Sequence, residues 1–136
     1  MAGLIDGEGT VTMSNKRQAF VQISMTDREL LDEVAETFGG RVRDASRWGA
    51  NDKPMYAWRL YGYRAESLLR ALLPHLRTKR RQAELCLELF DFRRANPHTR
   101  GLWANYAYNR ALRDRCDEFV REMRWLNQRG LHPAGL

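Results

Sequence analysis

The first two thirds of the chain alternate between strand-like and helix-like patterns of apolar residues. Residues 10–15 and 18–26 switch between polar and apolar side chains, with Lys16-Arg17 as the turn between them. A period of two is typical of a strand with one buried face, so these residues predict a β-hairpin. The apolar face would carry Val11, Met13, Val21, Ile23 and Met25, and the polar face Thr10, Thr12, Ser14, Phe20, Gln22 and Ser24.

A helix and a second hairpin are predicted to follow. Thr26-Asp27-Arg28-Glu29 has the pattern of a capping box, and apolar residues continue at helical spacing up to Gly39-Gly40. Residues 41–47 and 55–62 predict a second pair of strands around a turn rich in Gly, Asn, Asp and Pro. The core side would carry Val42, Tyr56, Trp58 and Leu60, and the opposite side Arg41, Arg43, Arg47, Met55, Ala57 and Arg59.

Three further helices complete the pattern. The first has a leucine stripe and must end or bend at Pro74, and the others are expected at about residues 78–94 and 105–127. The order α-ββ-α-ββ-α-α-α predicts an α+β fold, in which helices cover one face of an antiparallel four-stranded sheet. A chain of 136 residues has room for one core, so we expect a single domain spanning residues 1–136.

The open face of this sheet is a candidate binding surface. Its donors and acceptors are able to reach base edges and phosphates. A solvated outer face is the alternative, because antiparallel sheets commonly have one, and periodicity by itself favours that alternative. The polar and basic residues of the face and its turn are Thr12, Ser14, Lys16, Arg17, Gln18, Gln22, Ser24, Arg41, Arg43, Arg47 and Arg59.

Charge favours a polyanionic partner. The net charge is +6, and each phosphate neutralised by a cation releases condensed counterions. Of the 23 basic residues, 20 are Arg, which suits bidentate contacts to phosphate and guanine, although a GC-rich genome would produce the same bias.

The rest of the composition is that of an intracellular protein. No apolar run approaches the roughly 20 residues of a membrane span, and no secretory signal pattern is present. We therefore expect no membrane partner, no secretion, and a location in the cytoplasm of a prokaryote or in an organelle. Cys86 and Cys116 are too few for a disulfide framework, so reduced thiols are expected.

The opening segment MAGLIDGEG predicts a short helix that needs a partner. Gly3 and Gly7 lie one turn apart, and each costs about 1 kcal/mol relative to Ala inside a helix. Bare backbone at this spacing allows a second helix to approach closely, whereas simple fraying is the alternative. Two copies packed about a two-fold axis would bring both Glu8 carboxylates together at the negative ends of their helices. Divalent cations with oxygen ligands are the natural counterions there.

The same nine residues resemble the LAGLIDADG motif, with Met1, Gly7 and Glu8 in place of its first Leu, its second Ala and its last Asp. The chain is similar to single-motif LAGLIDADG homing endonucleases up to about Asn96. The resemblance implies an αββαββα core with a saddle-shaped sheet over DNA and extra C-terminal helices. It also implies a homodimer whose interface contains Ala2, Gly3, Asp6 and Gly7.

The resemblance further assigns roles at the site. Glu8, together with Gly7, would bind Mg²⁺, with Mn²⁺ or Ca²⁺ able to occupy the same place, whereas Asp6 would be mainly structural. Residues 74–83 look like the family segment that holds a catalytic lysine, which would be Lys79. Asp27 aligns with a position in the water network near the metals, and a helix-capping role is equally expected for it. Arg28 would lie near a phosphate.

The cations around Lys79 break a local rule. Lys79, Arg80 and Arg81 crowd the first turn of a helix, where the dipole is already positive and acids would be preferred. Violations of this kind tend to mark functional sites, so we expect Arg80 and Arg81 to contact DNA. A plain basic surface patch is the alternative.

These features predict a homodimeric, metal-dependent endonuclease. It would hydrolyse phosphodiester bonds in a long, near-palindromic double-stranded DNA site, leave 3′ overhangs, and use no small-molecule substrate. The alternative is a LAGLIDADG-type intron RNA maturase or a DNA-binding protein that does not cut. The presence of both Glu8 and Lys79 favours the nuclease.

Overall fold

The computed structural model describes residues 1–46, 53–97 and 106–128, and their elements follow the predicted order. The α+β architecture expected from the sequence is therefore confirmed. The elements are α1 (Ala2–Glu8), β1 (Gly9–Met13), β2 (Ala19–Met25), α2 (Arg28–Phe38), β3 (Arg41–Asp44), β4 (Tyr56–Tyr61), α3 (Gly62–Leu72) with a 3₁₀ turn at Leu73–His75, α4 (Arg80–Ala95) and α5 (Tyr106–Gln128).

The four strands form one antiparallel sheet in the order β1-β2-β4-β3. Cross-strand pairs such as Val11 with Val21 and Ile23 with Trp58 align the apolar residues on one face, as the alternation predicts. All four of these side chains are fully buried. They share one core with residues from every helix, among them Ile5, Leu31, Leu69, Leu85 and Met123. The polar face of the sheet lies outside this core.

The strands are shorter than the alternation predicts. β1 ends at Met13 because the next residues form the turn, in which the Ser14 amide donates to the Gln18 carbonyl at 2.8 Å. Within that turn Arg17 has a φ of 63°, which is unusual for a residue other than glycine. β4 ends at Tyr61, and Gly62 takes a φ of 66° where the chain turns into α3.

The N-terminus of α2 lies one residue later than the predicted capping box requires. Its N-cap is Asp27, whose carboxylate accepts a hydrogen bond from the Leu30 amide at 3.0 Å. The capping box that begins at Thr26 is therefore wrong by one residue, because Asp27 supplies both the capping carboxylate and the carbonyl that accepts the Leu31 amide. The predicted end is correct, since Gly39 closes the helix with a φ of 83°.

Helix α5 lies beside the first hairpin. Asp117 binds the Arg17 guanidinium at 2.7 Å, Arg124 donates to Asn15, and the Asn127 amide donates to the Thr12 hydroxyl at 3.1 Å. These contacts join parts of the chain about a hundred residues apart, and they hold the hairpin in a fixed position relative to the helical layer.

Helices α3 and α4 are joined by an ion-pair cluster around one carboxylate. Glu66 is buried and binds both Arg70 and Arg94 at 2.7 Å, and these hydrogen bonds hold the pKa of Glu66 below its ordinary value. Cys86 and Cys116 are free and buried, as expected for reduced thiols. Among the described residues, no helix combines the length and the apolar composition of a membrane span.

Candidate active site and nucleic-acid interface

Helix α1 presents its glycines and Glu8 outward. Ile5 is fully buried and anchors the helix in the core, whereas Gly3, Gly7 and Glu8 are exposed. A Cβ built on Gly3 or Gly7 would meet no atom within 4 Å. No contact among the described residues of a single chain therefore requires glycine at these two positions. The side of α1 that carries Gly3 and Gly7, the glycine face, is open.

The two other residues predicted for an interface have contacts within their own chain. Ala2 packs partly against the core, and Asp6 accepts hydrogen bonds from the segment that precedes α4. The Asp6 carboxylate receives the Arg77 amide at 2.9 Å, the Lys79 amide at 3.0 Å and the Thr78 hydroxyl at 3.1 Å. Asp6 is therefore engaged in hydrogen bonds within its own chain.

The Asp6 clamp, meaning these three hydrogen bonds, decides where Lys79 lies. Asp6 is two residues before Glu8, so the clamp brings the backbone of Lys79 to the end of α1 that carries Glu8. Burial would raise the pKa of Asp6, but the hydrogen bonds outweigh it and the pKa lies below its ordinary value. No local sequence pattern indicates these partners, because they are about seventy residues apart.

The cations that follow Lys79 are largely offset by acids. Arg80 binds Glu84 at 3.1 Å, and Arg81 binds Glu88 at 3.1 Å and Glu122 at 2.9 Å. Three cations therefore follow one another at the start of α4, as predicted, but acids one or two turns along α4 and on α5 offset the charge of two of them. Within the described ranges, the half-buried Lys79 has no acidic partner at ion-pair distance.

The donor chemistry at the end of α1 fits a hard divalent ion. Among the described residues no three His, Cys, Asp or Glu side chains come together as a metal site. Glu8 is an exposed carboxylate, and the last carbonyls of a helix, including that of Gly7, have no intrahelical partner. Carboxylate and carbonyl oxygens are the ligands that Mg²⁺ and Ca²⁺ prefer. A single chain thus offers only part of a coordination shell.

The outer face of the sheet carries cations without acids. None of the ion pairs among the described residues includes a strand residue, and all of them involve helices or the hairpin turn. Arg41 and Arg43 on β3 are exposed. Arg59 lies on the same face, on β4, which runs between β2 and β3. Arg41, Arg43 and Arg59 therefore give the open side of the sheet a positive charge that no acid among the described residues pairs.

Several predicted contact residues have partners in the protein. Arg17 is bound to Asp117, the Ser14 hydroxyl accepts the amides of Lys16 and Gln18, and Thr12 accepts from Asn127. On α2, Arg28 lies 3.7 Å from Asp32 and 5.4 Å from the Tyr56 ring.

The remaining residues predicted for the site or for the outer face of the sheet divide as follows. Asp27 caps α2, which is one of the two roles expected for it. Lys16 and Gln18 are exposed in the turn. Ala57 faces outward but is fully buried, because its small side chain lies on an internal strand between Ser24 and Arg43. Arg47 lies outside the described residues.

Two aromatic residues of the outer face were not predicted as functional. Phe20 and Tyr61 are cross-strand neighbours with ring centroids 5.1 Å apart. Arg59 lies over the Phe20 ring at 5.0 Å and donates to the Tyr61 hydroxyl at 3.1 Å. The alternation placed Phe20 on the polar face, and an apolar residue at a polar position was the available signal.

Comparison with known proteins agrees with this geometry. A model of the LAGLIDADG-like domain family matches residues 1–72, which is just over half of the chain. No curated protein matches the sequence. The archaeal intron-encoded homing endonuclease I-Vdi141I, solved with DNA, shares 17% identity at a TM-score of 0.69, over 92% of this chain and 80% of that chain.

Two further solved structures have the same fold. The homing endonuclease I-CvuI, solved with its target in the presence of Ca, shares 17% identity at a TM-score of 0.66, over 92% of this chain and 78% of that chain. The LAGLIDADG meganuclease I-AabMI, bound to uncleaved DNA, shares 23% identity at a TM-score of 0.62, over 88% of this chain but 42% of that chain. The chain therefore belongs to the LAGLIDADG family, and its fold is that of the LAGLIDADG homing endonucleases.

Proposed function

We propose that this protein is a homodimeric DNA endonuclease that hydrolyses phosphodiester bonds with divalent metal bound at a pair of Glu8 carboxylates. The observation that carries the proposal is the Asp6 clamp, which holds Lys79 at the end of α1 where Glu8 is exposed. An exposed acid with no described ion-pair partner, a nearby lysine and an open arginine face together suit a reaction on a polyanion.

Double-stranded DNA is the proposed substrate. I-CvuI and I-Vdi141I, which share this fold, were both solved with DNA. In this chain the unpaired cations of the open sheet face would enter the major groove, and the paired ones would contribute less. Four of the arginines proposed for DNA contact, Arg17, Arg28, Arg80 and Arg81, are paired with acids. The full set is Thr12, Ser14, Lys16, Arg17, Gln18, Gln22, Ser24, Arg28, Arg41, Arg43, Arg47, Arg59, Arg80 and Arg81.

The proposed dimer is formed through α1. Gly3 and Gly7 leave room for a second helix against the open face of α1, and a seven-residue helix is marginal without such support. I-AabMI, whose chain is only 42% covered by this one, has room for a second copy of the fold in a single polypeptide. A two-fold dimer predicts a near-palindromic target, and the family resemblance implies 3′ overhangs.

The proposed roles at the site follow from its donors. A bound divalent ion would polarise the phosphate and lower the pKa of bound water. Glu8 and the Gly7 carbonyl would hold the ion, Mg²⁺ in the first place, and I-CvuI was solved with Mg as well as Ca. The Lys79 ammonium would face the negative charge that develops on the phosphate, and Asp6 would keep Lys79 in position. An enzyme that acts on DNA would work inside a cell or organelle.

Glu8→Gln tests the proposal directly. The full-length protein is incubated with Mg²⁺ and a plasmid library that carries a randomised insert, and cleaved molecules are sequenced. We expect a defined cleavage site for the wild type, and a cleavage rate lower by about a thousandfold for Glu8→Gln with DNA affinity retained, since the amide binds metal weakly. The control Glu36→Gln, an exposed acid on α2, should cut normally. Comparable cleavage by Glu8→Gln would refute the assigned role.

The same experiment separates the nuclease from a binding protein. EDTA should abolish cutting while leaving capture of the enriched DNA intact. Wild-type protein that enriches a sequence in Mg²⁺ but cuts no member of the library would instead favour the non-cutting DNA-binding protein, and preferential binding of RNA would favour the maturase.

A further inference from the structure

Arg59 occupies the middle of the open sheet face. It lies on β4, an internal strand, with Gln22 of β2 directly opposite on one side and Arg41 of β3 on the other. A sheet face laid in a major groove presents its central strands to the base edges and its edge strands and turns to the two backbones. Arg59 is therefore placed for bases rather than phosphates.

The Arg59 guanidinium is held in one orientation. Its Nε donates to Gln22 Oε1, its Nη1 donates to the Tyr61 hydroxyl at 3.1 Å, and its Cζ lies 5.0 Å from the Phe20 ring centroid. Gln22 is itself held, because its Nε2 donates to the Ser24 hydroxyl at 3.0 Å. A side chain fixed in this way loses little further entropy when it binds.

The position of Arg59 beside a second arginine lowers the stability of the sheet. Arg41 and Arg59 are directly opposite on neighbouring strands, and like charges at that position destabilise a sheet. No carboxylate among the described residues pairs with either of them. Local costs that packing does not explain are commonly retained for binding. The neutral donors and acceptors around Arg59 orient the guanidinium without neutralising it.

We infer that Arg59 reads one guanine in each half of the DNA target, with Gln22, Tyr61 and Phe20 as positioning residues; the inference rests on the proposed DNA-cleaving function. A guanidinium has five donors and no acceptor, and Gln22 and Tyr61 use two of them. The remaining donors on Nη1 and Nη2 match O6 and N7 of guanine, the base that presents two acceptors in the major groove. Adenine presents one acceptor beside a donor, which an arginine cannot satisfy.

Sequencing of DNA selected by variants tests this inference. DNA is selected from one randomised double-stranded library in Ca²⁺ by four full-length proteins: the wild type, Arg59→Gln, Arg59→Lys and Tyr61→Phe. Circular dichroism and thermal unfolding first show that each variant is folded. We expect one guanine per half-site to be favoured by about 10- to 100-fold in the wild type. Arg59→Gln should replace it with adenine, because glutamine pairs with adenine, and leave the other positions unchanged. Tyr61→Phe should weaken the preference without moving it.

Arg41→Gln is the matched control. It removes the same charge from the neighbouring strand, so it should lower affinity but keep the guanine that Arg59 reads. An unchanged motif in Arg59→Gln, or a uniform loss of affinity for all sequences as expected of a phosphate contact, would overturn the inference while the proposed function stands. A wild type that selects no sequence would overturn both.

Discussion

Asp6 shows how one side chain organises two distant segments. Its carboxylate accepts hydrogen bonds from the amides of Arg77 and Lys79 and from the hydroxyl of Thr78. It thereby supplies acceptors for the donors of the segment before α4. The same contacts set the position of Lys79 relative to Glu8. Stability and the geometry of the candidate site therefore depend on one ionised group.

Asp6→Asn should make this dependence measurable. Asparagine has a single acceptor oxygen, and its NH₂ group would face an amide donor, so we expect a loss of about 1–3 kcal/mol in the free energy of unfolding at neutral pH. Because the folded-state pKa of Asp6 lies below its ordinary value of 3.8, the unfolded state binds more protons as the pH falls through that range. The stabilisation is complete above about pH 4 and decreases below it. Urea unfolding between neutral and acid pH measures both effects.

The control for Asp6 is Asp32→Asn, which removes an equal charge from an exposed pair with Arg28 at 3.7 Å. It should change the free energy of unfolding by less than about 1 kcal/mol. A difference between wild type and Asp6→Asn that stays constant down to the lowest pH would contradict the proposed linkage, because the variant lacks the titrating group.

At the scale of the element, α1 has two faces with different requirements. Ile5 must fit the core, whereas the glycine face has no described neighbour in its own chain. Glycine lowers helix stability relative to alanine, so a monomeric protein would gain from replacing it. A dimer that packs α1 against α1 would lose from the same replacement, because the two backbones could no longer approach.

Gly3→Leu separates these outcomes. In a single chain a Cβ added at Gly3 meets no neighbour within 4 Å, so we expect the folded monomer to keep its stability or gain up to about 1 kcal/mol. The dissociation constant of the dimer should rise by about tenfold or more. Sedimentation over a range of protein concentrations measures this constant. Glu36→Leu, which exposes the same side chain on α2, should leave the association unchanged. Unaltered dimerisation of Gly3→Leu would rule out α1 as the interface.

At the scale of the whole molecule, the open side of the sheet carries positive charge without acids beside it. Some helix arginines are paired, as Arg94 is with Glu66 and Arg115 with Glu118, whereas Arg41 and Arg43 have no ion pair among the described residues. These strand arginines are part of the net charge of +6. A polyanion should bind that side by displacing counterions from its own backbone.

The affinity for double-stranded DNA should accordingly fall steeply with salt. If about six phosphates are contacted, affinity should decrease by roughly a thousandfold between 50 and 200 mM salt. Fluorescence anisotropy with a labelled duplex measures the slope of log K against log salt. Arg43→Gln should reduce this slope by about 1 if Arg43 contacts a phosphate, whereas Arg115→Gln, on α5, should not change it. A slope near zero would contradict binding through the open face.

The sequence by itself determined the order of the elements and the two faces of the sheet. Val11, Val21 and Ile23 are buried because alternation is a local property: a strand turns each successive side chain to the opposite face. Glu8 and Lys79 were likewise identified from local motifs. The cap of α2 was misplaced by one residue, since Thr26 and Asp27 are both residues that commonly cap helices and local sequence does not choose between them.

Only the tertiary structure decided which side chains remain available. Arg17 and Arg59 look alike in the sequence, yet Asp117 on α5 binds the first, and Gln22 and Tyr61 orient the second. The Asp6 clamp is of the same kind, because its partners are about seventy residues away. Periodicity specifies which face a residue occupies, since that follows from backbone geometry. The partner it meets follows from how helices and strands pack together, which local sequence does not encode.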